Sequence, residues 1–155
     1  MANVPTTITT KVKDAIKLRL MNLPATSNGT VVQAIAGSAQ DAFEQYPTVR
    51  VVPVGIERNV DSATAYEDYT LRFVITLYLD LGDAVVPDEE VIETMCEIMD
   101  NIVKRLDNGE WLPDEYGTPI IGTTATSVCD TLQTKNGTVL YCDLEYPITF
   151  RKSCA

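Results

Sequence analysis

Apolar positions along the chain follow two periods, and the changes of period mark the elements. Between residues 6 and 23, Ile8, Val12, Ala15, Ile16 and Leu20 recur at helical spacing behind threonines that can serve as N-caps, which predicts an amphipathic helix. Pro24 and Asn28-Gly29 end it. Residues 31–43 carry a weaker stripe (Val32, Ile35, Ala39, Phe43), damaged by Gly37, and predict a short helix or an ordered loop. The pattern then becomes extended. Residues 49–56 are apolar and β-branched, and Pro53 places that strand at an edge or in a bulge because proline cannot donate to a ladder. The polar stretch 57–67 predicts a loop. In 68–81, Leu71, Phe73, Ile75, Leu77 and Leu79 take one face while Arg72, Thr76 and Asp80 take the other. The two strands are expected to form a long-looped antiparallel pair.

The helical period returns over 87–106, where Val91, Met95, Ile98, Ile102 and Leu106 form a stripe widened by Ile92, Met99 and Val103. Acids crowd its first turns, Lys104 and Arg105 its last, and Asn108-Gly109 follows, all consistent with the helix dipole and a stop. Residues 107–122 read as a loop carrying Trp111. Residues 123–133 and 138–151 read as the arms of a closing hairpin. The second arm alternates cleanly, with Leu140, Cys142, Leu144, Tyr146, Ile148 and Phe150 on one face. The expected fold is α+β: one domain over 1–155, an antiparallel sheet of about four strands with helices on one face, in the order α-(α)-β-β-α-β-β.

The hairpin stretch VCDTLQTKNGTVLYCDLEY raises a chemical question, because Cys129 and Cys142 are each followed by an aspartate. Asn136-Gly137 suits the two central residues of a type I′ turn, so Lys135 should pair with Thr138. That register sets Leu144 opposite Cys129 and Thr131 opposite Cys142. The cysteines then share a face as diagonal neighbours, while Asp130 and Asp143 point to the other. This speaks against a Cys/Asp metal cluster and for buried free thiols, ahead of a strained diagonal disulfide.

Charge changes the picture next. The net charge is −10, which disfavours gripping nucleic acid through phosphates. It is unevenly spread: Lys11, Lys13, Lys17 and Arg19 face only Asp14 in residues 10–20, whereas residues 73–103 hold eight acids and no base. Such a split suggests complementary surfaces within one molecule or between copies, against a background of ordinary solvated faces. No apolar run reaches the ~18 residues of a membrane helix. The N-terminal stretch lacks the order of a signal peptide, so the expected site of synthesis is the cytoplasm, with reduced thiols.

Catalytic patterns are scarce. There is no histidine, which removes the Ser-His-Asp and Cys-His systems and imidazole zinc sites. No P-loop, GxGxxG, GxSxG or CxxC occurs, and Ala36-Gly37-Ser38-Ala39-Gln40 lacks the second glycine of a nucleophile elbow. Glu89, Glu93 and Glu97 stack at helical spacing, an arrangement that can hold a divalent ion, though a solvated helix face is the simpler reading. Asp114 and Glu115 are a candidate acid–base pair with nothing to fix their separation. No cofactor or metal site is expected. Two features look for a partner: sheet edges with nothing evident covering them, and large side chains at Trp111, Leu112 and Tyr116 in a long loop, where Trp111 either folds back to cap the helix stripe or inserts into a neighbour.

The succession of an amphipathic helix, YPTVRVVPVGIE, a polar loop, YTLRFVITLYLDLGD, VPDEEVIETMCEIMDNIVKRL and a hairpin ending in YPITFRKSC resembles the tail terminator proteins of long-tailed bacteriophages, also called tail completion or neck proteins. The likeness spans residues 6–152 and rests on element order and texture, with no catalytic motif. It implies a non-enzymatic virion protein of the neck. Six copies would form a ring at the head-proximal end of the tail tube, stop its polymerisation and offer a joining surface to the head's connector. DNA would pass through without specific binding, and no membrane is involved. An acidic lining is expected of such a conduit. Lys13, Lys17, Glu93, Glu97, Trp111, Leu112 and Tyr116 are the candidate subunit or partner contacts. The alternatives are another head-completion or minor tail protein, or a small acidic enzyme using Asp114 and Glu115.

Overall fold

The computed structural model of the chain describes residues 8–21, 23–27, 29, 31, 35–36, 47–61, 66–82, 87–113, 115, 117–127, 129–134 and 137–153. Its elements run α1 (Ile8–Leu20), β1 (Ile35–Ala36), β2 (Thr48–Asp61), β3 (Tyr66–Gly82), α2 (Glu89–Arg105), β4 (Thr118–Ile121), β5 (Ala125–Thr126), β6 (Asp130–Thr134) and β7 (Gly137–Ser153). The fold is therefore α+β, as expected, but the sheet has seven strands rather than four. Its order is β1-β2-β3-β7-β4, with β5 and β6 also paired to β7. Every pairing is antiparallel except the two-residue contact of β1 with β2. Strands β4, β5 and β6 follow one another along a single edge of β7, opposite 148–151, 144–145 and 137–141. The first arm of the expected hairpin is thus a broken strand, and it begins within the stretch read as a loop. The expected helix over 31–43 falls almost wholly outside the described residues.

The alternating positions on β3 and β7 do what their period requires. Leu71, Phe73, Ile75, Leu77 and Leu79, with Leu140, Cys142, Leu144, Tyr146, Ile148 and Phe150, are buried on one face. Val12, Ile16 and Leu20 of α1 and Met95, Ile98, Met99 and Ile102 of α2 close over that face in one core. Each large apolar side chain withdrawn in this way contributes about 1.5–3 kcal/mol. Ile92, expected to widen the α2 stripe, is instead exposed.

Both helices are fixed at their ends. Asp88 caps α2, its Oδ1 accepting from the Val91 amide at 2.9 Å, and Glu89 and Glu90 follow in the first turn. At the other end the buried Tyr146 hydroxyl donates to the Leu106 carbonyl at 2.6 Å, satisfying a group that the helix leaves open. The two C-termini also hold each other: Arg19 Nε donates to the Arg105 carbonyl at 3.0 Å, and Arg105 Nε to the Arg19 carbonyl at 3.1 Å. A guanidinium at a helix C-terminus is favoured by the dipole as well as by the bond.

Three expectations are corrected here. The polar stretch 57–67 is not a loop: β2 and β3 pair through Asp61↔Tyr66, making a ribbon fastened by Arg58–Glu67 and Arg72–Glu57 ion pairs. The final hairpin pairs Thr134 with Gly137, not Lys135 with Thr138. Gly137 belongs to the ladder, at φ 129°, where an added Cβ would lie 2.6 Å from the Gly82 carbonyl oxygen. Its glycine character serves a close strand approach rather than the second turn position. Residue 136 lies outside the described residues. The sheet edges are also managed after all. Pro53 sits beside a bulge in β2, and the four-residue β4 carries Pro119, both devices that discourage further pairing.

Candidate functional site: the helix-free face of the sheet

The register defines the opposite face residue by residue. It carries Arg50, Val52 and Glu57 of β2, with Asp68, Thr70, Arg72, Val74, Thr76, Tyr78 and Asp80 of β3. From β7 come Tyr141, Asp143, Glu145, Pro147, Thr149 and Arg151, and from β6 Asp130. Neither helix covers these positions. Six acids thus meet three arginines on one surface.

The charges are not evenly satisfied. At the ribbon end Arg151 grips Asp68 with both arms of its guanidinium, at 2.9 and 3.0 Å. That hydrogen bond, with the arginine's charge, holds the Asp68 carboxyl below the usual carboxylate range. Arg72 lies 3.6 Å from Glu57. Toward the other end, Asp143 accepts from the Thr76 hydroxyl at 2.6 Å, and Thr70 and Thr149 share a hydrogen bond at 3.0 Å. Among the described residues no cation stands within ion-pair distance of Asp80, Asp130, Asp143 or Glu145.

The expected contact residues lie elsewhere, on the helix side. Lys13 and Lys17 are half-buried along α1, and Glu93 is exposed on α2. Glu97 is already engaged, accepting from the Ser27 amide at 2.8 Å and the Ser27 hydroxyl at 3.0 Å. The basic helix makes an ion pair with an acid beyond that segment, Lys11 to Glu115 at 2.8 Å. The expected display of large side chains is corrected for Leu112, which is 5% exposed and part of the core. Of the two outcomes open for Trp111, the structure shows the inward one: it packs against the core with the Arg19 guanidinium 5.7 Å from its ring centre, and its buried Nε1 meets no acceptor among the described residues. Tyr116 and Asp114 lie outside the described residues; of the candidate acid pair only Glu115 is described, and it is ion-paired with Lys11. No group of three or more His, Cys, Asp or Glu side chains suited to a metal ion occurs among the described residues. Glu89, Glu93 and Glu97 form no such cage.

The cysteine geometry also changes. Ser127 pairs with Asp143 through Ser127 N–H to the Asp143 carbonyl at 2.8 Å, whereas Asp130 pairs with Tyr141. The register shifts by one residue between these two pairs, as at a bulge, and continuing the β6 register by one residue sets Cys129 opposite Cys142. The two cysteines are direct neighbours, not diagonal ones, and both line one cleft. Burial, then the adjoining Cys129, pushes the Cys142 thiol up to about 11. Burial likewise raises Cys129. Both thiols are free, and Asp130 and Asp143 do lie on the opposite face. A cleft of about 330 Å³ between α2 and this bulge is lined by Met95, Cys96, Met99, Cys129 and Cys142 among others. The helical spacing of Met95, Cys96 and Met99 carried a trace of it, but only the sheet brings them to the hairpin.

No protein-family model matches the chain, and the search of curated proteins gives no match. Among the described residues no helix is long and apolar enough to cross a membrane.

Proposed function

We propose that this chain is a structural ring subunit of the tail terminator type, six copies closing at the head-proximal end of a phage tail. In this reading it ends the polymerisation of the tail tube protein, presents a surface to the connector and lets DNA pass. The helix-free face is the wall of the passage. One observation carries the reading: a broad sheet face, left uncovered by both helices, bears six acids against three arginines among the described residues. A wall of that sign repels phosphates and holds no nucleic acid in transit. A heterologous contact between copies closes into a ring when its rotation allows.

Light scattering and negative-stain imaging, with and without the tail tube protein, test the assembly. Six-fold rings capping tubes are expected, and antibody should label the neck. Label elsewhere on the tail would move the protein to a minor tail role. A chain that stays monomeric in the presence of tubes, and is missing from virions, ends the reading. The wall is tested separately: Asp143→Lys with Glu145→Lys should leave rings intact and create DNA binding, read by fluorescence anisotropy at low salt. Rings that bind DNA no better than before would place another surface at the channel.

A further inference from the structure

The sulfur-lined cleft takes no part in that reading. It gathers three thiols of graded exposure: Cys96 is exposed, Cys129 half-buried and Cys142 buried. The Cys129 Sγ stands 3.2 Å from the Met95 Sδ, and the Cys142 thiol reaches the Ser127 carbonyl at 3.2 Å. Cys129 and Cys142 come from opposed positions across the bulge, on the same face, at the wall of a cleft open to solvent. Opposed residues of antiparallel strands hold their Cβ atoms about 4.5–5.5 Å apart. A disulfide needs about 3.5–4.5 Å, so a small closure of the bulge suffices.

We propose that Cys129 and Cys142 are an oxidisable pair, converted to an intrachain disulfide by a small-molecule disulfide that enters through this cleft. The sulfur of Cys129, the more exposed of the two, attacks one sulfur of the reagent and displaces one thiol. Cys142 then attacks the Cys129 sulfur of the mixed disulfide and displaces the second. Two protein thiols give up two electrons and two protons, and one reagent disulfide becomes two thiols. The bridge staples the strand before β6 to the middle of β7, around the hairpin turn. Because the thiolate is the attacking species and burial disfavours it, the rate rises as pH goes from 7 to 9.

The test uses the folded, reduced full chain and oxidised glutathione. After quenching, free thiols are alkylated, and the digest is read by mass spectrometry before and after reduction. The expected result is a linked Cys129–Cys142 peptide, unchanged in Cys96→Ser, and a glutathione adduct held on Cys129 in Cys142→Ala. The oxidised protein should unfold at higher urea than the reduced one and return on treatment with dithiothreitol. A Cys129 and a Cys142 that both stay alkylatable while Cys96 takes glutathione would overturn the proposal. So would a bridge from Cys96 to Cys129. The wild-type peptide map decides even if a variant fails to fold.

Discussion

Replacing Tyr146 by phenylalanine removes one oxygen from a buried aromatic ring of the sheet. The ring is 1% exposed, and its hydroxyl donates to the Leu106 carbonyl at 2.6 Å. Phenylalanine keeps the packing, so no cavity larger than a hydroxyl arises. The loss is the hydrogen bond, together with the cost of a carbonyl left at the buried end of α2, where Leu106 is 0% exposed. An unsatisfied buried group of this kind costs about 1–3 kcal/mol. In a domain of this size each kcal/mol lowers Tm by about 2–4 °C. Urea titration at pH 8 should give that difference with an unchanged m value. A pH series adds a second readout. Burial, and then the negative charge of Asp107, raises the Tyr146 phenol above its ordinary value. Below about pH 10 both folded and unfolded states keep the proton, so the term is fully present. Above it the unfolded chain loses its proton first, binds fewer protons than the folded state, and stability falls with pH. The phenylalanine variant lacks this term, so the wild-type advantage should shrink above pH 10. The Cys142 thiol titrates there in both proteins and cancels in the difference. A difference below about 0.3 kcal/mol at pH 8, against that 1–3 kcal/mol expectation, would refute the capping role, as would one that grows with pH.

Gly137→Ala should cost about 1–3 kcal/mol, since its φ is held at 129° against the Gly82 carbonyl, while Gly55→Ala, with only Arg72 side-chain atoms near 4 Å, should stay within about 0.5 kcal/mol in urea titrations. Arg19→Gln and Arg105→Gln should each lower stability by about 1–2 kcal/mol, and the double variant by less than their sum, because both bonds hold the same two helix ends. If rings are joined by the basic α1 and the acidic α2, light scattering should show them loosening as salt rises and weakening further in Lys13→Glu with Lys17→Glu. Glu89→Lys with Glu93→Lys should restore them, each rim pair adding about 0–1 kcal/mol; indifference to molar salt would make the contact apolar.

Sequence periodicity recorded the parts of this fold where one side is dry and the other wet. Leu71 to Leu79 and Leu140 to Phe150 alternate because one face lies under the helices. The ribbon formed by the distal halves of β2 and β3 was illegible for the complementary reason. Arg58, Glu67 and Glu57 sit on strands that are polar on both sides, and their pairing is encoded in opposite charges rather than in hydropathy. The hairpin register was displaced by two residues because Gly137 was read as a turn residue. A shift of two preserves the face of every side chain, so the core assignment survived. The diagonal relation of Cys129 to Cys142 did not survive, because the same shift of two carries Cys129 from opposite Leu144 to opposite Cys142.

The same logic bears on the helix-free face. Its polar residues reveal only that water reaches it, and any antiparallel sheet covered on one side would show that. The arrangement along the strands is more specific. Asp68 with Arg151 and Glu57 with Arg72 neutralise the ribbon end. Asp80, Asp130, Asp143 and Glu145 lie toward the hairpin end, at the successive levels of Val139, Tyr141, Asp143 and Glu145 along β7. The surplus negative charge therefore runs as a stripe along the hairpin half of the face instead of a uniform wash. On the proposed ring reading that stripe would be repeated by every copy around the axis, and like charges in a narrow passage reinforce one another where solvent is confined. Solvation alone would be served equally well by acids at either end. A passage wall gains more from acids gathered in one half of the face, and the register of β6, β7 and β3 gathers them there.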